Sequence, residues 1–149
     1  MKINFTKKQF KTLLDLAYLG EWMANSTRSD DDRFVDYEEL FQYICSFAKD
    51  MGYEDLVPYD RELNAYFPTQ EYETQLHPII DNNDDYVFWE KLTANLAKRD
   101  LDREGAMYNT LDDRFRRLCE IEEQYEREFE ENGLANLIIA EGKNGSDKE

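Results

Sequence analysis

The side chains best suited to catalysis are scarce: one histidine, His77, and two cysteines, Cys45 and Cys119. A Cys–His nucleophile pair needs thiol and imidazole side by side, with a local device that lowers the thiol pKa. Nothing flanking either cysteine supplies one. Each lies beside an apolar helical stripe, where a small reduced thiol is the ordinary occupant. His77 stands between Leu76 and Pro78, a setting that suits a structural imidazole. Structural zinc rests on thiolate and imidazole sets that this chain cannot assemble, and a bundle di-iron centre needs paired Glu-x-x-His motifs. The 34 Asp and Glu residues are so numerous that no single carboxylate pair is informative. With no catalytic or nucleotide-binding motif, the expectation is a non-enzymatic protein without a cofactor.

One segment offers metal-ligand spacing, Arg28 to Leu40 (RSDDDRFVDYEEL). With Glu39 at the twelfth position of a calcium loop, Asp30 and Asp32 fall at positions 3 and 5, Phe34 at 7 and Asp36 at 9. In that register it looks like an EF-hand loop between two helices. It departs from the pattern twice: Arg28 replaces the first acidic ligand, and Arg33 replaces the glycine of the sharp turn. Asp36 and Glu39 also have capping-box spacing, which accounts for them without an ion. Calcium binding through Asp30, Asp32, Asp36 and Glu39 is therefore the alternative reading. A second shadow of the pattern, Asp81, Asn83 and Glu90, has Ile79 in the first position and fits worse.

Charge restricts the partners. The chain carries a net charge of −16 together with 41% hydrophobic and 14% aromatic residues, so it folds and it repels anions. Between Glu54 and Glu90 stand Glu54, Asp55, Asp60, Glu62, Glu71, Glu73, Asp81, Asp84, Asp85 and Glu90, opposed by Arg61 alone. Direct contact with nucleic acid requires basic surface to displace counterions, and anionic membranes impose the same demand. Both are excluded as direct partners of most of this surface. A basic protein is the expected partner, with Glu54, Asp55, Glu71, Glu73, Asp84 and Asp85 as its candidate contacts. A nucleic-acid mimic is a special case that net charge alone does not establish. No run is apolar enough to span a bilayer or act as a signal-peptide core, so the cytoplasm is the expected location.

Helical periodicity dominates the rest. Thr6 and Gln9 form a capping box opening a helix to about Asn25, with apolar residues on more than one face. Asp36 and Glu39 open a second, with Tyr37, Leu40, Phe41, Ile44, Cys45, Ala48 and Met51 as its stripe and Gly52 as its stop. Pro58 introduces a short helix over 60–66, stopped by Pro68, and Thr69 caps another that Pro78 interrupts. Asn82 to Asp84 cap the next, ending near Gly105. Thr110 caps the last, whose stripe is Leu111, Phe115, Leu118, Tyr125 and Phe129, with Gly133 beyond its end. On its opposite face Arg116–Glu120, Glu123–Arg127 and Arg127–Glu131 have i,i+4 spacing.

The expected fold is mainly α: a compact bundle of four to five principal helices, one domain over 1–141, and a disordered tail over 142–149. Ile3–Phe5 and Leu137–Ile139 read as two short strands whose antiparallel pairing joins the termini. That pairing would set Lys7 and Lys8 beside Glu128, Glu130 and Glu131, relieving unfavourable helix-dipole contacts at both helix ends. Nothing in the sequence signals an oligomeric state.

Overall fold

The computed structural model describes residues 3–138, and the tail expected over 142–149 lies outside them. The chain is mainly helical, with four principal helices among the described residues rather than a fifth, and one short antiparallel strand pair. It divides into two compact units, Met1–Asn83 and Asp84–Glu149.

In the first unit α1 spans Lys7–Asn25 behind the expected capping box. The Gln9 N–H donates to Thr6 Oγ1 at 3.3 Å, and the Thr6 N–H donates to Gln9 Oε1 at 3.0 Å. Phe10, Leu14 and Tyr18, spaced by four residues, are buried, while Leu16 and Met23 stay exposed. Only one face of α1 is fully covered, although its apolar residues occupy more than one.

Helix α2 spans Val35–Cys45 and has no side-chain cap, so the box expected from Asp36 and Glu39 does not form. The helix starts two residues earlier than that box requires, at Val35 instead of Tyr37. Its cap residue, Phe34, is instead held through its backbone by Asn25, as detailed below. α2 breaks at Ser46, and a single further turn, α3 (Ala48–Met51), ends at Gly52 with φ +74°. The Gly52 N–H donates to the Lys49 carbonyl and the Tyr53 N–H to the Ala48 carbonyl, at 3.0 and 2.8 Å. This is the Schellman arrangement that favours glycine. A Cβ at Gly52 would also lie 2.9 Å from Lys7 Nζ, so Lys7 reaches the end of α3.

The helix expected over 60–66 is a hairpin. β1 (Tyr59–Asp60) pairs antiparallel with β2 (Ala65–Tyr66) in the register Tyr59 to Tyr66 and Asp60 to Ala65. Asp60 Oδ1 accepts the N–H groups of Glu62 and Leu63 at 2.8 and 3.0 Å, bending the chain as an Asx-type turn. Asn64 then adopts φ +53°, a left-handed conformation that asparagine tolerates better than most residues. A tilted ring contact between Tyr59 and Tyr66, with centroids 4.9 Å apart, reinforces the pair. Gln42 of α2 anchors it from outside: its amide donates to the Tyr66 carbonyl at 2.9 Å and accepts the Tyr66 N–H at 2.7 Å.

This hairpin is the strand pair of the described chain, and it lies mid-sequence instead of joining the termini. Residues 3–5 and 137–138 form no strand, and Ile139 lies outside the described residues. The expected meeting of Lys7 and Lys8 with Glu128, Glu130 and Glu131 therefore loses its premise.

Helix α4 spans Gln70–Glu104 without interruption, where the sequence suggested two helices parted at Pro78. Thr69 does cap it, accepting the Tyr72 N–H at 3.3 Å. Pro78 removes one helical hydrogen bond, but Tyr72, Leu76 and Ile80 continue a four-residue stripe on both sides of it and are buried. They pack with Phe10, Leu14, Tyr18, Phe41, Cys45, Ala48 and Val57 in one core. Burying each large apolar side chain is worth roughly 1.5–3 kcal/mol, comparable with the cost of about 3 kcal/mol for an interior proline.

In the second unit the later turns of α4 pack with α5 (Leu111–Asn132) around Ala97, Leu101 and Ile121. Thr110 caps α5 as expected, accepting the Asp113 N–H at 3.1 Å. Leu118, Tyr125 and Phe129 are half-buried, but Leu111 and Phe115 at the head of the expected stripe are exposed. The i,i+4 pairs expected along α5 are absent among the described ion pairs. Arginines reach across to α4 instead, Arg117 to Glu104 at 2.5 Å and Arg114 to Asp102 at 3.1 Å. Arg117 also meets Glu120 at 3.0 Å. Of the arginines in the expected pairs, Arg116 meets Asp113 one turn back at 3.6 Å and Arg127 forms no ion pair among the described residues, a small loss because along-helix pairs are worth only about 0.2–0.5 kcal/mol.

Candidate functional site

The 28–39 loop folds as a 3-10 turn over Asp30–Asp32. Its arginines are occupied. Arg28 donates to the Ala24 carbonyl, pairs with Asp32 at 3.0 Å and covers the Phe34 ring at 4.0 Å. Arg33 pairs with Glu21 at 2.9 Å and Glu38 at 3.5 Å. The Phe34 carbonyl, which would be the backbone ligand of a calcium loop, accepts from Asn25 Nδ2 at 3.3 Å. No group of three or more His, Cys, Asp or Glu side chains among the described residues is placed to hold a metal ion, so Asp30, Asp32, Asp36 and Glu39 are not gathered around a common centre.

A polar network joins α1 to the first turns of α4. Asp15 pairs with Lys11 at 2.6 Å and accepts the Tyr72 hydroxyl at 2.7 Å, while Lys11 Nζ lies 4.8 Å from the Tyr72 ring centroid. The Tyr18 hydroxyl donates to Glu73 Oε1 at 3.3 Å and lies 3.2 Å from His77 Nε2. Burial, and secondarily Glu73, pushes the Tyr18 hydroxyl up to about 12. Burial followed by the hydrogen bond to Asp15 raises Tyr72 further. Both phenols are held protonated as hydrogen-bond donors, which suits packing of the two helices and not base or nucleophile chemistry. Desolvation likewise pushes the wholly buried Cys45 thiol up to about 12, away from the thiolate a nucleophile requires.

The six acids expected to contact a partner are spread over several elements and both units. Glu54 and Asp55 are exposed in the turn after α3, and Glu71 is exposed on the first turn of α4. Glu73 is half-buried and engaged by Tyr18. Asp84 and Asp85 are exposed on the part of α4 that belongs to the second unit. Among the described residues no ion pair involves any position from Glu39 to Lys98, so all this carboxylate charge is uncompensated locally.

A further surface escaped the sequence reading. α2 has two apolar faces, and the core takes only Phe41 and Cys45 fully, with Ile44 half-buried. Leu40, Tyr43 and Phe47 remain 56%, 62% and 42% exposed. The Tyr43 and Phe47 rings pack edge to face at 5.0 Å. The signal is an i, i+3, i+7 spacing, in which Leu40 reads equally well as part of the expected core stripe.

No helix among the described residues is long and apolar enough to cross a membrane. The chain matches no protein-family model, and comparison with the curated proteins and the solved structures finds no match.

Proposed function

We propose that this chain is a non-enzymatic interaction module that binds a basic protein. The observation that carries this reading is the run from Glu54 to Glu90, whose acids have no ion-pair partner among the described residues. Elsewhere the fold does recruit arginines to its carboxylates, as at Arg117–Glu104 and Arg33–Glu21. Unpaired like charges repel one another and disfavour the compact state, so a complementary surface gains both contact energy and relief of that repulsion. Long-range attraction of this kind also speeds encounter and weakens with salt, because the Debye length is about 8 Å at physiological ionic strength.

The test is affinity capture from the native host with two baits. One is the wild-type chain, and the other carries Glu54→Gln, Asp55→Asn, Glu71→Gln, Asp84→Asn and Asp85→Asn. Glu73 is left intact because it holds Tyr18. The expected result is a basic protein retained by the wild-type bait, released by salt and lost from the neutralised bait. Capture that is indifferent to both salt and neutralisation would overturn the reading.

A further inference from the structure

We propose that Leu40 and Tyr43 of α2, with Phe47 just beyond its end, form the docking surface for a basic amphipathic helical segment of the partner protein. This rests on the basic-partner reading and adds an apolar contact beside the acids of the Glu54–Glu90 run. Leu40, Tyr43 and Phe47 have i, i+3, i+7 spacing and are substantially exposed, while Phe41 and Cys45 pack in the core. The edge-to-face contact of Tyr43 with Phe47, at 5.0 Å, favours one arrangement of the two rings and so reduces the rotamer freedom lost on binding. Aromatic anchors on a helix face are the usual means of gripping the apolar stripe of a second helix.

Charge selects the occupant. Between Phe34 and Ala48 there are three acids, Asp36, Glu38 and Glu39, and no base. Glu38 is engaged by Arg33, whereas Asp36 and Glu39 form no ion pair among the described residues. Each of these two stands one turn before an apolar anchor, Asp36 before Leu40 and Glu39 before Tyr43. A partner helix with Leu, Ile or Phe on one face and flanking Lys or Arg meets both features at once. A second copy of this chain would set one acidic rim against an identical one, which opposes a symmetric dimer through this face. Nucleic acid and anionic lipid are repelled by the same carboxylates.

The experiment uses a designed leucine–lysine peptide with leucines at helical spacing, and a permuted peptide of the same composition without that spacing. Binding to the full chain is followed by fluorescence anisotropy, and the contacted residues by amide chemical-shift mapping. The expected result is binding of the helical peptide with shifts centred on 36–47, and at least about tenfold weaker binding of the permuted one. Leu40→Asp and Tyr43→Ser, measured separately, should each weaken binding about tenfold while leaving the circular dichroism and melt unchanged. Asp36→Asn with Glu39→Gln should weaken it several-fold and flatten its salt dependence. If both anchor variants bind normally and the variant neutralised over Glu54–Asp85 does not, this surface is wrong and the basic-partner reading stands. Absence of binding to any form overturns both. A concentration-dependent dimer dispersed by Leu40→Asp overturns the proposal in favour of a second copy. Should one anchor variant unfold, the other and the shift map of the wild-type chain give the answer.

Discussion

Asn25 clamps the backbone of Phe34 from both sides: Oδ1 accepts the Phe34 N–H at 2.8 Å and Nδ2 donates to the Phe34 carbonyl at 3.3 Å. The same amide group donates to Glu21 at 3.0 Å, and the residue is 4% exposed. The last residue of α1 thereby fixes the residue from which α2 departs. It does not cap the first N–H groups of α2, but it fixes the start of a helix whose Phe41 and Cys45 are buried while Leu40 and Tyr43 are exposed.

Asn25→Ala is expected to destabilise the fold by about 1–2 kcal/mol, because the Phe34 N–H loses its partner and the Phe34 carbonyl keeps only the Tyr37 N–H. Asn25→Asp should cost at least as much, since a carboxylate cannot donate to Phe34 and faces Glu21. Denaturant melts check both, and a loss below about 0.5 kcal/mol would show that the loop holds its shape without the clamp.

The same clamp bears on the calcium alternative. With the Phe34 carbonyl engaged by Asn25 and Asp32 paired with Arg28, the loop would have to break existing contacts to enclose an ion. The expected outcome is an identical thermal melt in calcium and in chelator. A ligand selective for the folded state at about 100 times its Kd would add about 2.7 kcal/mol, a readily measured rise. Such a rise, abolished by Glu39→Gln, would restore Asp30, Asp32, Asp36 and Glu39 as ligands.

Two neighbours on α2 should behave oppositely. Phe41 is 6% exposed and Leu40 is 56% exposed. Phe41→Ala leaves a cavity beside Tyr18, whose ring centroid is 6.2 Å away, and should cost about 3–5 kcal/mol. Leu40→Ala should cost less than about 1 kcal/mol. Equal losses in paired denaturant melts would mean that both faces of α2 are covered.

Stability should fall at alkaline pH for an identifiable reason. The Tyr18 hydroxyl and the Cys45 thiol are each pushed up to about 12, so the folded chain holds these protons more tightly than the unfolded chain does. Their stabilisation is complete below the unfolded values, about 8.5 for the thiol and about 10 for the phenol, and is lost as pH rises toward about 12. Tyr72 acts in the same direction. Denaturant midpoints measured across this range should decline, and Tyr18→Phe should make the decline shallower. A midpoint unchanged to pH ~11 would refute the assignment.

The sequence by itself determined what depends on a few adjacent residues. Thr6 with Gln9, Thr110 before Asp113, and Gly52 after Met51 place helix ends because each cap is closed within three to five residues. The period of four along Phe10, Leu14 and Tyr18 marks the buried face of α1 for the same local reason. The tertiary structure decided wherever local signals were balanced. Asp60 to Tyr66 has helix-compatible spacing, yet Gln42, far away in sequence, holds the Tyr66 backbone in a hairpin. Pro78 is a helix breaker by its chemistry, yet Tyr72, Leu76 and Ile80 find a shared core that keeps α4 continuous. α2 carries two apolar faces of similar hydrophobicity, and its periodicity is indifferent to which one is covered. Asn25 fixes the start of the helix and α1 covers one face, so the exposed Leu40, Tyr43 and Phe47 follow from packing between elements and not from the residues alone.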